Sequence, residues 1–270
     1  MRVRLEGYVA VLPGLYAARL RSHLQADDEY TAPMRRSPHM MSSSTTDANS
    51  IALNPVIGAL LAVIVVAAPV LAAAWFGLCP EYGNPGCPGG SPESAIRAYR
   101  AAPASLFQVF LAVNLVMPYV YPLSYLAIGL VASRRSTLLA TLGMLAGWVG
   151  SVPFGSFADE SGLLAAMARL QSDSQYSALI AEYMRDPHLL AVATGWVIGH
   201  LLGYVLLGVA FLRSDLVPRW AGALLIAAAV AIGPLAYGTG VNALQVGGYL
   251  AVAAASVPVA RHLLSDRRLP

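Results

Sequence analysis

Six runs of 18 to 27 residues lack any Asp, Glu or Arg: Pro55 to Leu78, Leu106 to Ala132, Thr137 to Phe157, Leu189 to Leu212, Trp220 to Tyr237 and Val241 to Ala260. At about 1.5 Å per helical residue, each can reach across a hydrocarbon layer of roughly 30 Å, the fifth only just. A backbone in lipid must satisfy its own polar groups, so segments of this kind fold as helices. The expected fold class is therefore all-α, a polytopic transmembrane bundle of six helices with an outer amphipathic helical segment.

Composition agrees: 57% of the 270 residues are hydrophobic and 11% charged, against about 25% charged in an ordinary soluble domain. An ordinary soluble enzyme is excluded. All 17 basic residues are Arg, and Lys does not occur. This reads as a GC-rich coding bias, so an Arg at a given position is weak evidence that a bidentate guanidinium was needed there. The arginines cluster at the ends of the apolar runs and form no stripe interleaved with aromatics, which argues against a nucleic-acid partner.

The arginines also set an expected orientation, because short Arg-rich connections stay in the cytoplasm. With the N-terminus inside, Arg134, Arg135, Arg213, Arg219, Arg261, Arg267 and Arg268 are cytoplasmic. Arg97, Arg100, Arg169 and Arg185 fall on longer outer segments that also carry acidic residues. Both termini are then cytoplasmic, and the expected location is a bacterial cytoplasmic membrane. Cys79 and Cys87 flank the turn-rich stretch CPEYGNPGC on the outer side. That spacing suits one local disulfide in an oxidising compartment, with two separate thiols as the other reading.

Three regions follow from this division. Residues 1–53 read as a disordered cytoplasmic tail, rich in Ser, Thr and Asp towards its end. Met40 or Met41 offers an alternative translation start, which makes the first 39 residues an artefact of start assignment. A cleaved signal peptide fits less well, because the apolar stretch Gly7 to Ala18 is short and interrupted by Pro13. Residues 54–261 hold the six spans, and 262–270 a cytoplasmic C-terminal tail. Within the outer loops, SPESAIRAYR reads as a short helix begun by Ser91 or Pro92. Leu163, Leu164, Met167 and Leu170, then Tyr176, Leu179, Ile180, Tyr183 and Met184, recur at helical spacing. They predict an amphipathic helix pair that lies on the outer leaflet or covers the bundle.

The fourth span carries Ala191, Gly195, Gly199 and Gly203 at four-residue intervals. Such a ladder lets a second helix approach closely, within the bundle or from another subunit. The expected partners are therefore the lipid bilayer and a second copy or another membrane protein seated on this small-residue face. The third span repeats the device through Gly143, Gly147, Ser151 and Gly155.

Candidate ligand-binding residues lie in the same spans. His200 sits at the centre of the fourth, with Trp196 a turn before it and Tyr204 a turn after. An ionisable group at membrane depth is a functional candidate by default, although a neutral imidazole also serves simply to join helices. Asn114, Pro118, Tyr121 and Tyr125 share one face of the second span, and Pro118 and Pro122 predict a kink there. Gln245 and Tyr249 add polar groups from the sixth span, with Asn242 near its end. A pocket made of these residues is polar and uncharged, which suits a neutral ligand better than a proton- or sodium-coupled substrate. The plainer reading is that they hold helices together.

No catalytic residues, metal site or cofactor are assigned. Nucleophile-elbow, zincin, phosphate-loop and dinucleotide motifs do not occur. Haem ligation by two histidines is disfavoured, because His188 and His262 fall at opposite membrane faces. Ser156, Asp159, Glu160, Asp186 and His188 gather at outer span ends and could bring an acid and a base together, though loop carboxylates there are usually just solvated. The two halves have opposite orientation, as an inverted repeat requires, but the shared Ser-Val-Pro triplets at 151 and 256 are too short to establish one.

The stretch GHLLGYVLLGVAFLRSDLVPRWAGALLIAA, Gly199 to Ala228, resembles the fourth-to-fifth span junction of small actinobacterial six-span membrane proteins grouped as a domain of unknown function. Its most recognisable piece is Arg213-Ser214 followed by Val217-Pro218-Arg219-Trp220, a tight turn anchored by arginines and Trp. The resemblance covers roughly Asn54 to Arg261. It implies the six-span architecture and brings no catalytic residues with it. Three functional readings remain: a non-enzymatic accessory or scaffolding protein, a facilitator or carrier of a small neutral or amphiphilic solute, and a membrane-embedded enzyme.

Overall fold

The computed structural model describes residues 54–79, 92–152, 162–164, 166–170, 173–183 and 185–265. The N-terminal tail, Cys87, Ser156, Asp159 and Glu160 lie outside the described residues, and the expectations placed on them go with them. The described residues are helical, with no strand among them. In chain order the helices are α1 (Pro55–Leu78), α2 (Pro92–Ala101), α3 (Ala104–Ala132), α4 (Thr137–Ser151), α5 (Asp173–Tyr183), α6 (Pro187–Leu212), α7 (Arg219–Thr239) and α8 (Asn242–Ser265). A further short helical stretch covers 162–164 and 166–169.

Five of these helices, α1, α3, α6, α7 and α8, are long and apolar enough to cross a membrane. The expected third span differs. Its described helix, α4, has 15 residues, which at about 1.5 Å each fall short of a layer of roughly 30 Å. Residues 153–157, which the sequence assigned to the same span, lie outside the described residues. The sixth helix also departs from expectation at its far end. Hydropathy ended it at Ala260 and began a tail at 262, whereas the helix runs on to Ser265. Leu263 is buried, and the His262 ring meets the Arg134 guanidinium at 3.0 Å. Side-chain contacts therefore carry the helix past the point where apolarity stops.

The long helices form a ring in which each packs on the next: α1 on α3, α3 on α4, α4 on α6, α6 on α7, α7 on α8, and α8 back on α1. One end of the ring carries the turns after α3 and α6, and is here called the turn end. At the other, α2 packs against α5 to form a cap. Within that cap Ile96, Leu164, Met167 and Ile180 are buried, while Leu163, Leu170 and Leu179 are about half exposed. Cys79 closes α1 at this cap end, buried, with its backbone N–H donating to the Trp75 carbonyl at 2.9 Å.

Local chemistry explains the helix ends. Asn54 caps α1 by accepting from the Val56 N–H at 2.9 Å, with Pro55 in the first turn, where its missing donor costs nothing. α3 runs unbroken through Pro118 and Pro122. α7 instead widens into a π-helical turn at Ala231–Leu235 around Pro234. A proline inside a helix has no N–H to give and its ring crowds the carbonyl four residues back, so one extra residue in the turn accommodates it. Gly240 then ends the helix at φ +69°, a left-handed conformation that glycine adopts without strain.

Asp186 caps α6 by accepting from the backbone N–H groups of His188 at 2.8 Å and Leu189 at 3.2 Å. Those two bonds hold its carboxyl below the ordinary value of 3.8. Because folding lowers this pKa, the cap is complete above the ordinary value and is lost as the pH falls through the lower folded-state value. Asp186→Ala should speed amide exchange at His188 and Leu189 about fivefold at neutral pH. Exchange unchanged from wild type would show that the cap contributes nothing to the helix start.

Candidate functional site

The eight residues proposed for a pocket are all buried: Asn114, Tyr121, Tyr125, Trp196, His200, Tyr204, Gln245 and Tyr249. α6 supplies a column of Trp196, His200 and Tyr204, each one turn apart. The His200 ring stacks on Trp196 with centroids 4.5 Å apart, and its Nδ1 meets the Trp196 carbonyl. A carbonyl only accepts, so Nδ1 carries a proton, and in the neutral ring Nε2 keeps its lone pair. Facing that lone pair, at 3.5 Å, is the Tyr249 hydroxyl of α8.

α3 closes the other side. The Tyr125 hydroxyl donates to the backbone carbonyl of His200 at 3.0 Å, and its ring lies 4.8 Å from that of Tyr204. The Tyr204 hydroxyl in turn donates to that of Tyr121 at 3.0 Å. Asn114 is joined to the cluster less directly. Its side-chain oxygen accepts from the Trp75 indole at 2.9 Å, Trp75 meets Phe76 edge-on at 4.7 Å, and Phe76 stacks on Tyr249 at 5.3 Å. Trp75 and Phe76 were not singled out from the sequence, since an aromatic pair inside an apolar run carries no polar signal of its own.

Gln245 stands apart from these pairings. It lies one turn before Tyr249 on α8 and is 1% exposed, yet neither its amide oxygen nor its amide nitrogen has a hydrogen-bond partner. Asn242, a turn nearer the cap end, donates from its amide nitrogen to the Phe76 carbonyl at 3.0 Å, and its side-chain oxygen has no hydrogen-bond partner. A buried amide left unmatched in this way is costly.

The small-residue ladder is used inside the bundle, against α4. A Cβ built on Gly199 lies 2.6 Å from the Gly150 Cα, and one built on Gly203 lies 2.8 Å from the Gly147 Cα. A Cβ on Gly143 meets Leu207 at 2.9 Å, and one on Gly147 collides with the Tyr125 ring. Gly195, by contrast, has nothing within 4 Å and faces outward. Several glycines at close approaches escaped the sequence reading. Gly150 sits three residues after Gly147, off the four-residue ladder, while Gly208 and Gly222 bring α6 and α7 together near the turn between them.

Of the candidate acid and base, Asp186 Oδ1 lies 3.3 Å from His188 Nδ1, but the His188 side chain is 94% exposed. The carboxylate is engaged as a helix cap and both side chains are open to solvent, so the geometry serves local structure. His188 opens α6 at the cap end and His262 lies in the last turn of α8 at the turn end. The two cannot share a ligand. No group of three potential metal-ligating residues occurs among the described residues. No family model, curated protein or solved structure matches this chain.

Proposed function

We propose that this chain crosses the cytoplasmic membrane of a bacterium six times, with both termini on the cytoplasmic side, and acts as a non-enzymatic accessory or scaffolding component through helix packing. One observation carries the functional part. Most of the polar groups at membrane depth are engaged: across helices Tyr204 with Tyr121, Tyr125 with the His200 backbone, and Trp75 with Asn114, and within α6 the His200 ring with the Trp196 carbonyl. Such groups hold helices together and leave little hydrogen-bonding capacity for a solute. Counting α4 as the sixth crossing is supported by its place in the ring and by its exposed apolar face, formed by Leu138, Leu142, Leu145, Trp148 and Val149.

A facilitator of small neutral solutes is the second reading, and Gln245 favours it, since a buried amide with no hydrogen-bond partner could be met by a passing hydroxyl or amide. Two measurements test these readings, the first their shared membrane topology and the second the choice between them. Alkaline carbonate should leave the protein in the membrane pellet, and release into the supernatant overturns the multi-pass assignment. Proteoliposomes should take up glycerol and urea no faster than protein-free vesicles, for wild type, His200→Ala and Asn114→Ala alike. Uptake above that baseline, lost in Gln245→Leu, establishes the facilitator instead.

A further inference from the structure

At the cap end, α2, the first turns of α3 and the helical stretch at 166–169 surround a cleft of about 310 Å³. Tyr99, Arg100, Phe107, Gln108 and Arg169 form its walls. Arg100 is held in place: its Nε donates to the Ala168 carbonyl at 3.0 Å and its Nη2 to the Leu170 carbonyl at 3.1 Å. Those carbonyls end a helix, where a cation is favoured. Arg169 lies on the same cleft, exposed, and makes no ion pair among the described residues. Among the described residues no carboxylate lines the cleft, and Arg100, Arg169 and Gln108 border a space large enough for a phosphate-sized group.

The cleft also continues into apolar surface. Phe107 forms part of its wall, and on either side of Phe107 in α3 Leu106 and Val109 are 49% and 51% exposed. Since α3 is one of the five helices fit to cross a membrane, its first turns lie at the depth of lipid head groups if the multi-pass reading holds. A free anion has no use for the apolar strip below the arginines, whereas a phospholipid fills both.

We propose that this cleft binds the anionic head group of a phospholipid through Arg100, Arg169 and Gln108, with an acyl chain lying along Leu106 and Val109. Guanidinium pairs with phosphate oxygens by charge-assisted, often two-pronged hydrogen bonds, and a zwitterionic head group brings its own cation into the same space.

The test is retention of lipid by the full-length protein, released from detergent and weighed by native mass spectrometry after incubation with phosphatidylglycerol or phosphatidylcholine. Wild type should retain phosphatidylglycerol about tenfold better, and Arg169→Gln should reduce that retention about fivefold, as expected for loss of one charge-assisted contact. Arg213→Gln, at the turn end, should leave it unchanged. Equal retention of the two lipids, or no effect of Arg169→Gln, overturns the proposal. Displacement of the lipid by millimolar inorganic phosphate reassigns the site to a free anion and overturns the lipid reading. Carbonate extraction of wild type and Arg169→Gln decides membrane insertion separately, so failure of the lipid site and failure of the multi-pass assignment give different results.

Discussion

Gly199→Ala should destabilise the protein by about 2–3 kcal/mol, lowering Tm by roughly 5–10 °C, while Gly195→Ala, four residues earlier on the same ladder, should leave Tm within about 2 °C of wild type. The two substitutions add the same methyl group to the same helix. At position 199 that methyl would lie 2.6 Å from the Gly150 Cα and 2.9 Å from the Ala146 carbonyl oxygen, and backbone cannot swing aside as a side chain can. At position 195 it meets nothing within 4 Å, and alanine's better helix propensity offsets any small loss. Thermal unfolding of the purified protein in detergent, followed by intrinsic Trp fluorescence, reads the difference. Equal shifts for the two variants would mean that α4 and α6 do not meet backbone to backbone.

This pair also marks what sequence patterning can convey. The ladder of small residues was plain at four-residue spacing, but spacing alone could not say which rungs touch a neighbour, and so Gly195 and Gly199 looked alike. Gly150 was missed because the α4 contact follows a three-residue step after Gly147, and Gly208 because it lies five residues beyond Gly203. Hydropathy located the long helices well. It placed the end of α8 too early, because Arg261 and His262 look like the start of a tail when His262 is in fact tied to Arg134. The order of helices around the ring, with α8 closing on α1, has no local signature at all.

The interior cluster shows the same division. Spacing on α6 was enough to align Trp196, His200 and Tyr204, and spacing on α3 enough to align Asn114, Tyr121 and Tyr125. Which of them would pair was a tertiary matter. Their uncharged character is compatible with burial side by side, but whether they face a solute or each other depends on partners from α1 and α8. Trp75 illustrates the point: it engages the oxygen of Asn114, one of the residues expected to line a pocket.

The second large effect is expected where Tyr125 meets Gly147, and it should appear as a departure from additivity. The Tyr125 ring fills the space above Gly147, so a methyl there collides with ring atoms. The ring cannot easily move away, because its hydroxyl bonds the His200 carbonyl and its face lies against Tyr204. Gly147→Ala alone should therefore cost about 2–3 kcal/mol, and Tyr125→Ala alone about 3–5 kcal/mol through the cavity it leaves. In the double variant the new methyl enters space that the ring has vacated, so the total should fall short of the sum by about 1–3 kcal/mol. Gly199→Ala combined with Tyr125→Ala should instead add closely, since the obstruction at Gly199 is the α4 backbone and not that ring. Tyr125→Phe isolates the remaining contribution, the bond to His200, and should cost about 0.6 kcal/mol, the usual size for a polar contact between membrane helices. Additive losses in the Gly147 and Tyr125 pair would show that the ring does not rest on that glycine, and that the contact joining α3, α4 and α6 is built some other way.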